Sequence, residues 1–380
     1  MWDLIQSHPL SPPLTPILTP LTQSHSILIN LRLRHFLVSL ILNEKTDNFL
    51  FVATFEQSSM ATMDISDMRE ELCNKVNISP SKLRDYGLEL AGFNARRRIK
   101  VNESQNEKRF VSHYGSAPKV LTKVWSDLCS TDIEDARIDC EKVSIDALLA
   151  ACFFLQTYSP EERIAGFFRW SEKTCRKWVW YVLERIQALK ENKIVWPQEW
   201  NHLDDTVETF ILSVDGVHFK CFEPKHPTYP KNKKMYSHKF NQAGIGYEIA
   251  LAIFTNNVVW TNGPFPGSVH DKRIFKDHGL MDKMPANSRG IADGGYRKCR
   301  EKLSTPNSLD SEEVRRFKGR ARARQESFNS RIKTFKCLSE TFRHDLSKHR
   351  VCFDAVVVLC QFQMENGSPL FDVWLININK

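Results

Sequence analysis

The hydrophobic period of this chain switches near residue 209, and that switch constrains the fold more than any other feature. Upstream the spacing is helical. "SIDALLAACFFLQTY" (144–158) is apolar nearly all round, as a buried helix is. "SPEERIAGFF" (159–168) offers Ser159 as a cap, Pro160 at the first helical position and Glu162 three after the cap. "SEKTCRKWVWYVLERIQAL" (171–189) sets Val179, Val182, Ile186 and Leu189 on one stripe. Downstream the spacing is that of strands. "TFILSVDGVHF" (209–219) reads as a buried strand. "YEIALAIF" and "VVWTNGPF" flank Asn256-Asn257 as a hairpin, and "GIADGGY" (290–296) is a short strand ending in a turn. Helical spacing then returns over 311–338, with Phe328, Ile332 and Phe335 as its apolar stripe, and over "CFDAVVVLCQFQMEN" (352–366). Strands followed by helices predict an α/β fold, a mixed sheet flanked by helices.

Five segments follow from this pattern. Residues 1–62, rich in Pro, Ser, Thr and Leu, read as an extension without a fold of its own, and Met60 and Met63 are alternative starts. Its one apolar stretch, "SILINLRLRHFLVSLIL" (26–42), is interrupted by Arg32, Arg34 and His35 too often for a spanning helix, so no membrane is expected. Residues 63–130 read as a polar helical and linker region, with helices near 64–75 and 80–91 and a solvated loop at Arg96–Arg98. Residues 131–200 have a helix-turn-helix outline, two short helices and a turn leading to a longer helix, whose start carries Lys173, Arg176 and Lys177 where they would meet DNA. A small helical bundle with no groove contact fits the same outline. Residues 205–365 hold the strands and late helices, and 366–380 form a C-terminal tail.

Charge is distributed unevenly. The chain carries a net charge of +8, yet residues 272–350 alone hold 21 Lys and Arg against 10 Asp and Glu. A cationic segment on a mildly acidic remainder points to a polyanion, most commonly nucleic acid. The ten cysteines are scattered without a C-x-x-C pair or zinc-finger spacing, which reads as reduced core thiols of an intracellular protein.

Four carboxylates stand where solvated charges seldom do. Asp215 ends an apolar strand before Gly216 in this reading, and Asp293 ends another before two glycines. Asp271 follows a Pro-Gly turn, and Glu326 lies inside the basic run "RARARQESFNSRIK" (320–333). A lone Asp-Gly is usually a turn, and Glu326 alone reads equally as an i,i+4 salt-bridge partner. Two strand-end Asp-Gly pairs with a carboxylate set among arginines are a less common combination. The chemistry that needs such a set is metal-assisted phosphodiester cleavage, because Mg²⁺ takes a few carboxylate oxygens plus waters and phosphate oxygens.

Taken in order and spacing, "VDGVHF", "GPFPGSVHD", "IADGGY" and "RARARQESFNSRIK" resemble the DDE transposases of the PIF/Harbinger group, DDE superfamily endonucleases also related to some bacterial insertion-sequence enzymes. The interval of 33 positions from Asp293 to Glu326 is typical of the last two members of a DDE triad. The likeness covers about 205–365, with a looser match at 143–190. It implies a ribonuclease-H-like fold, with Asp215, Asp293 and Glu326 as catalytic residues and Asp215, Asp271, Asp293 and Glu326 as ligands of a divalent cation, Mg or Mn. The residue after Asp293 differs from that of many relatives. Arg320, Arg322, Arg324, Arg331 and Lys333 would then lie along the DNA. His270 reads as a structural neighbour of Asp271, with a ligand or proton carrier as the alternative, and "KNKKMYSHKFNQ" (231–242) is a second basic segment, a loop that either touches DNA or is simply solvated.

The leading expectation is therefore a nuclear transposase, or a transposase-derived endonuclease, that cuts DNA and transfers strands. Transposon ends and target DNA are its expected partners, and the resemblance leaves room for a separate Myb-like partner and a homo-oligomer. Two other readings stand beside it: a domesticated DNA-binding protein without transposition, and a non-catalytic module whose basic helix binds RNA.

Overall fold

The computed structural model describes residues 64–203, 208–223 and 233–374, together with the backbone of three strands nearer the N-terminus. Those strands, β1 (Ile17–Thr19), β2 (Ser26–Leu33) and β3 (Phe36–Asn43), pair antiparallel in the order β1-β2-β3. They lie within the segment read as an extension, whose other residues are outside the described ones, as are the last six residues of the tail. Residues 1–63 and 64–380 are two separate compact units.

The second unit begins with helices: α1 (Ile65–Leu72), α2 (Pro80–Leu90), α3 (Ala95–Ile99), α4 (Glu103–Tyr114) and α5 (Pro118–Ser130). Arg96–Arg98 thus belong to a short helix, not a loop, and the Arg98 guanidinium is held by Glu89. Next come α6 (Ile145–Thr157), α7 (Glu161–Phe168), α8 (Glu172–Ala188) and the short α9 (Lys190–Lys193). Every residue from Ile145 to Leu155 is buried, as the apolar run from Ala147 onward requires, and the one charge in it, Asp146, is paired with Arg69 and Tyr86. Val179, Val182, Ile186 and Leu189 are buried together. One expected detail is corrected: Pro160, lacking an N–H to leave unpaired, stands at the N-cap of α7, and no side chain caps that helix.

The strands follow: β4 (Thr209–Lys220), β5 (Tyr236–Ser237), β6 (Gln242–Ala252) and β7 (Val258–Pro266). Helices α10 (Asp271–Asp277) and α11 (Leu280–Lys283) lead to β8 (Ser288–Ile291) and β9 (Leu303–Ser304). The chain closes with α12 (Glu312–Ile332), α13 (Lys336–Ser339) and α14 (Leu346–Glu365). The sheet is mixed. β6 and β7 form the expected antiparallel hairpin around Asn256-Asn257, β6 pairs antiparallel with β4, and β8 and β9 run parallel beside β4. The parallel step from β4 to β8 is possible because the long hairpin, α10 and α11 cross over between them.

Helices cover both faces of the sheet. Val217 and Phe219 of β4 join Ile245, Tyr247 and Ile249 of β6 in a core with α14, and Leu212, Val214, Ala250 and Ala252 pack with Phe275 and Tyr296 on the opposite side. The α14 core runs on without a break into the helical region, from Leu72 to Leu189. Among the described residues no helix is long and apolar enough to cross a membrane. All ten cysteines are free, seven of them buried.

Candidate active site

Strand β4 carries the centre of the site, and its alternation sorts the side chains onto two faces. Ser213 and Asp215 face α12. The Ser213 hydroxyl donates to Gln325 Oε1 at 2.8 Å, and Asn329 Nδ2 donates to Asp215 Oδ2 at 2.7 Å. Two strand residues two apart thus meet two helix residues four apart, because the rises of about 6.7 Å and 6 Å nearly match. The expectation that Asp215 ends its strand is corrected. β4 continues to Lys220, and Asp215 pairs with Ile249 in mid-strand. Gly216 is therefore not a turn residue. A Cβ on it would lie 2.1 Å from Asp271 Oδ1, so the glycine is required by the close approach of that carboxylate on the second face of the strand.

Asp271 opens α10 and is tied down from two directions. His218 Nε2 approaches its Oδ1 at 3.5 Å, and Lys239 Nζ approaches its Oδ2 at 3.5 Å. His218 Nδ1 faces the Ser237 hydroxyl at 3.2 Å, and a hydroxyl donated to Nδ1 leaves the ring proton on Nε2, toward Asp271. Lys239 also donates to the Gly216 carbonyl at 3.0 Å. Asp293 follows the end of β8. Ser213 pairs with Ile291 at the end of β8 in parallel register, and Asp293, two residues beyond, is near enough for its charge to act on Asp215. Its carboxylate caps the following turn, accepting from the Gly295 N–H at 2.8 Å.

Glu326 is exposed on α12 beside Gln325. Exposed Lys333, two turns further along the helix, shares its side, as does half-buried Arg322, one turn before it. The other arginines of the run are used differently. Arg324 is 3% exposed and donates to the carbonyls of Ala252 (2.7 Å) and Thr255 and to Asn256 Oδ1 (3.1 Å). Its expected place on DNA is therefore corrected: it holds the end of the β6–β7 hairpin. Arg320 donates to the Asp372 carbonyl at 2.6 Å and lies over the Phe371 ring, and Arg331 donates to the Ser368 carbonyl at 2.7 Å. Both are engaged with the tail. On α8, Lys173, Arg176 and Lys177 are all exposed, but Arg176 is paired with Glu161 at 2.6 Å and Lys177 lies over the Trp178 ring.

The electrostatics tie the acids together. Burial raises the Asp215 carboxyl to about 7. Lys239 opposes the rise, and the like charges of Glu326, Asp271 and Asp293 add to it. Asp271 goes the other way: burial alone would raise it, but His218 and the Lys239 ammonium hold it below the usual carboxylate value. Crowding and the like charge of Lys239 lower Lys333. Two carboxyls with values pushed apart are a common arrangement at reactive sites.

Two further groups went unmarked in the sequence. Glu248 is fully buried directly across from Gly216, accepts from Trp260 Nε1 at 3.1 Å and is raised by burial to about 8. Tyr296 is buried behind the site, with no hydrogen-bond partner for its hydroxyl. A lone glutamate in the apolar run "YEIALAIF" was the available signal for the first.

Among the described residues, no group of three or more His, Cys, Asp or Glu side chains is arranged to hold a metal ion. Three of the acids are engaged with protein groups. Asp215 is turned to Asn329, Asp293 to Gly295 and Asp271 to Lys239. Yet Asn329 Oδ1 is buried without a hydrogen-bond donor, Asp271 Oδ1 has only the long approach of His218 Nε2 at 3.5 Å, and the surplus of negative charge around Asp215 is what a hard cation would neutralise, so the donor set fits one.

Residues 214–361 match the family model for a DDE superfamily endonuclease. That match covers the four acids and the sheet strands β6 to β9. No curated protein matches the chain. Among solved structures, a pre-cleavage Mos1 transpososome is 8% identical, with a TM-score of 0.19 over 76% of this chain and 96% of that one. A Mos1 strand transfer complex is 11% identical, with a TM-score of 0.18 over 76% and 98%. Scores this low establish no common fold.

Proposed function

We propose that this chain is a divalent-metal-dependent DNA endonuclease of the PIF/Harbinger type, a transposase or a nuclease derived from one, acting in the nucleus. What carries the reading is the gathering of Asp215, Asp271, Asp293 and Glu326, from β4, α10, the turn after β8 and α12, close enough for their charges to act on Asp215, within a segment matching a DDE superfamily endonuclease. The antiparallel β7-β6-β4 run followed by parallel β8 and β9 supports a ribonuclease-H-like frame.

Asp215, Asp271, Asp293 and Glu326 would hold Mg²⁺ or Mn²⁺, with Asp215, Asp293 and Glu326 as the catalytic set. Such an ion supplies positive charge at the phosphodiester and acidifies an attacking water. The chain's own residues do the rest. Gly216 leaves room for Asp271 against the strand, and Asn329 orients Asp215. Lys333 and Arg322, on the Glu326 side of α12, meet the DNA backbone. Strand transfer by the freed 3′-hydroxyl follows from the transposase reading, as do contacts of Lys173 and Lys177 with transposon ends, a Myb-like partner and a homo-oligomer.

A second reading, a domesticated DNA-binding protein without cleavage, is favoured by the turning of three acids to protein donors. Nicking of supercoiled DNA by the full chain separates the two. Cleavage in Mg²⁺ or Mn²⁺, absent in chelator and absent from Asp215→Asn, Asp293→Asn and Glu326→Gln, is the expected result. DNA binding with no nicking in either metal would select the second reading.

A further inference from the structure

We propose that Lys239 is a built-in counter-ion of the acid site: its ammonium competes with a divalent cation for the carboxylates and, once displaced, takes a DNA phosphate. This rests on the metal-dependent reading above and names a residue that the reading did not use.

Three observations carry it. The ammonium lies 3.5 Å from Asp271 Oδ2 and 3.0 Å from the Gly216 carbonyl, at the point of β4 where the two carboxylate faces meet. It is also the strongest charge acting on Asp215, so one cation serves both acids. Finally, its side chain is half exposed, at 50%, and extends from the turn between β5 and β6, outside the packed sheet. A lysine of this kind is a flexible point charge with three donors and can move several ångströms without disturbing the core. Its approach to Asp271 is longer than a good hydrogen bond, so the ammonium neutralises the carboxylate without locking it.

The consequences are directional. A divalent ion entering between Asp215 and Asp271 would meet the ammonium at close range, and like charges cannot share the position. The ammonium must leave, and with the acids neutralised the nearest anion for it is the backbone of bound DNA. Lys333, whose ammonium already feels Lys239, bounds the same opening from α12.

The test uses the full chain, with Mn²⁺ binding followed by electron paramagnetic resonance for wild type, Lys239→Met and Lys239→Arg. Lys239→Met should bind Mn²⁺ about five- to tenfold tighter, the discount for a half-exposed charge included, and Lys239→Arg should stay within about twofold of wild type. DNA affinity is then compared in Ca²⁺ and in chelator. Lys239→Met should lose affinity in Ca²⁺, with a log–log salt slope shallower by about 0.9, and keep wild-type affinity in chelator. Unchanged or weaker Mn²⁺ binding by Lys239→Met overturns the competition. An equal effect on DNA affinity with and without metal overturns the displacement. If wild type and both variants fail to bind Mn²⁺, the metal-dependent reading falls and this inference with it, whereas normal wild-type binding with an indifferent Lys239→Met removes this inference alone.

Discussion

Two acids, Asp215 and Glu248, contribute stability that falls as pH rises, the reverse of the usual carboxylate. Asp215 is raised from 3.8 to about 7 and Glu248 from 4.5 to about 8, both chiefly by burial. A raised carboxyl means that the folded state keeps its proton longer than the unfolded chain does. The stabilisation is full below the unfolded values and is lost as pH rises through about 7 and about 8. Buried His349, lowered from 6.5 to about 3, works the other way below pH 6.5. In chelator, the melting temperature should therefore fall between about pH 6.5 and 8.5, and Asp215→Asn with Glu248→Gln should flatten that fall. A wild-type profile already flat over the range would show that these carboxyls ionise freely. The four proposed metal ligands were legible in the sequence because each interrupts a pattern: an acid inside an apolar strand, after a turn, or within a run of arginines. Lys239, His218, Asn329 and Glu248 were not. Their positions come from register, helix spacing and an approach across Gly216, and none of these is a local property of the sequence.

At the scale of the element, α12 separates its cations by face, and the separation predicts different outcomes for neighbouring arginines. Arg324 lies four residues before Phe328 and seven after Phe317, on the buried side of the helix, so helical spacing alone places it inward. Its three acceptors belong to the β6–β7 hairpin end. Arg324→Ala should cost about 2–3 kcal/mol, since it leaves the carbonyl of buried Ala252 without this donor and unties Thr255 and Asn256 from the helix. Arg322→Ala should change stability by no more than about 0.5 kcal/mol, and should make the salt dependence of DNA binding shallower by about 0.9 in the log–log slope. Chemical denaturation and salt-titrated DNA binding on the two variants test both halves. Reversed results would put DNA on the Arg324 face. The same reasoning removes Arg320 and Arg331 from the DNA side while they hold the carbonyls of Asp372 and Ser368. Periodicity showed that the helix has faces, but what covers each face depends on a hairpin and a tail far away in sequence.

At the scale of the molecule, the question is whether the nuclease-like segment can stand alone, as its sequence boundaries at 205 and 365 invite. Helix α14 argues that it cannot. Its centre is buried all round, and part of what buries it is α5 and α8, from the helical region. Asp354, almost fully buried, is neutralised by Lys190 at 2.8 Å and bonded by Gln187 at 3.0 Å, both upstream of residue 200. Gln363 donates to the Gly115 carbonyl and the Ser116 hydroxyl across the same seam. Cutting the chain at 200 would bare an apolar helix face and leave Asp354 with only the half-exposed Arg350 beside it. Removing one partner from a buried ion pair costs about 3–5 kcal/mol, against a total stability that for domains is only about 5–15 kcal/mol. A chain covering 205–374 should therefore show no cooperative melting transition, by circular dichroism or by calorimetry. The chain from Met63 onward should melt in one transition at the temperature of the full-length protein, because residues 64–380 form one compact unit. Two separate transitions in that chain would mean that the helical region and the sheet are independent domains after all, and the seam along α14 a contact between them, not a shared core.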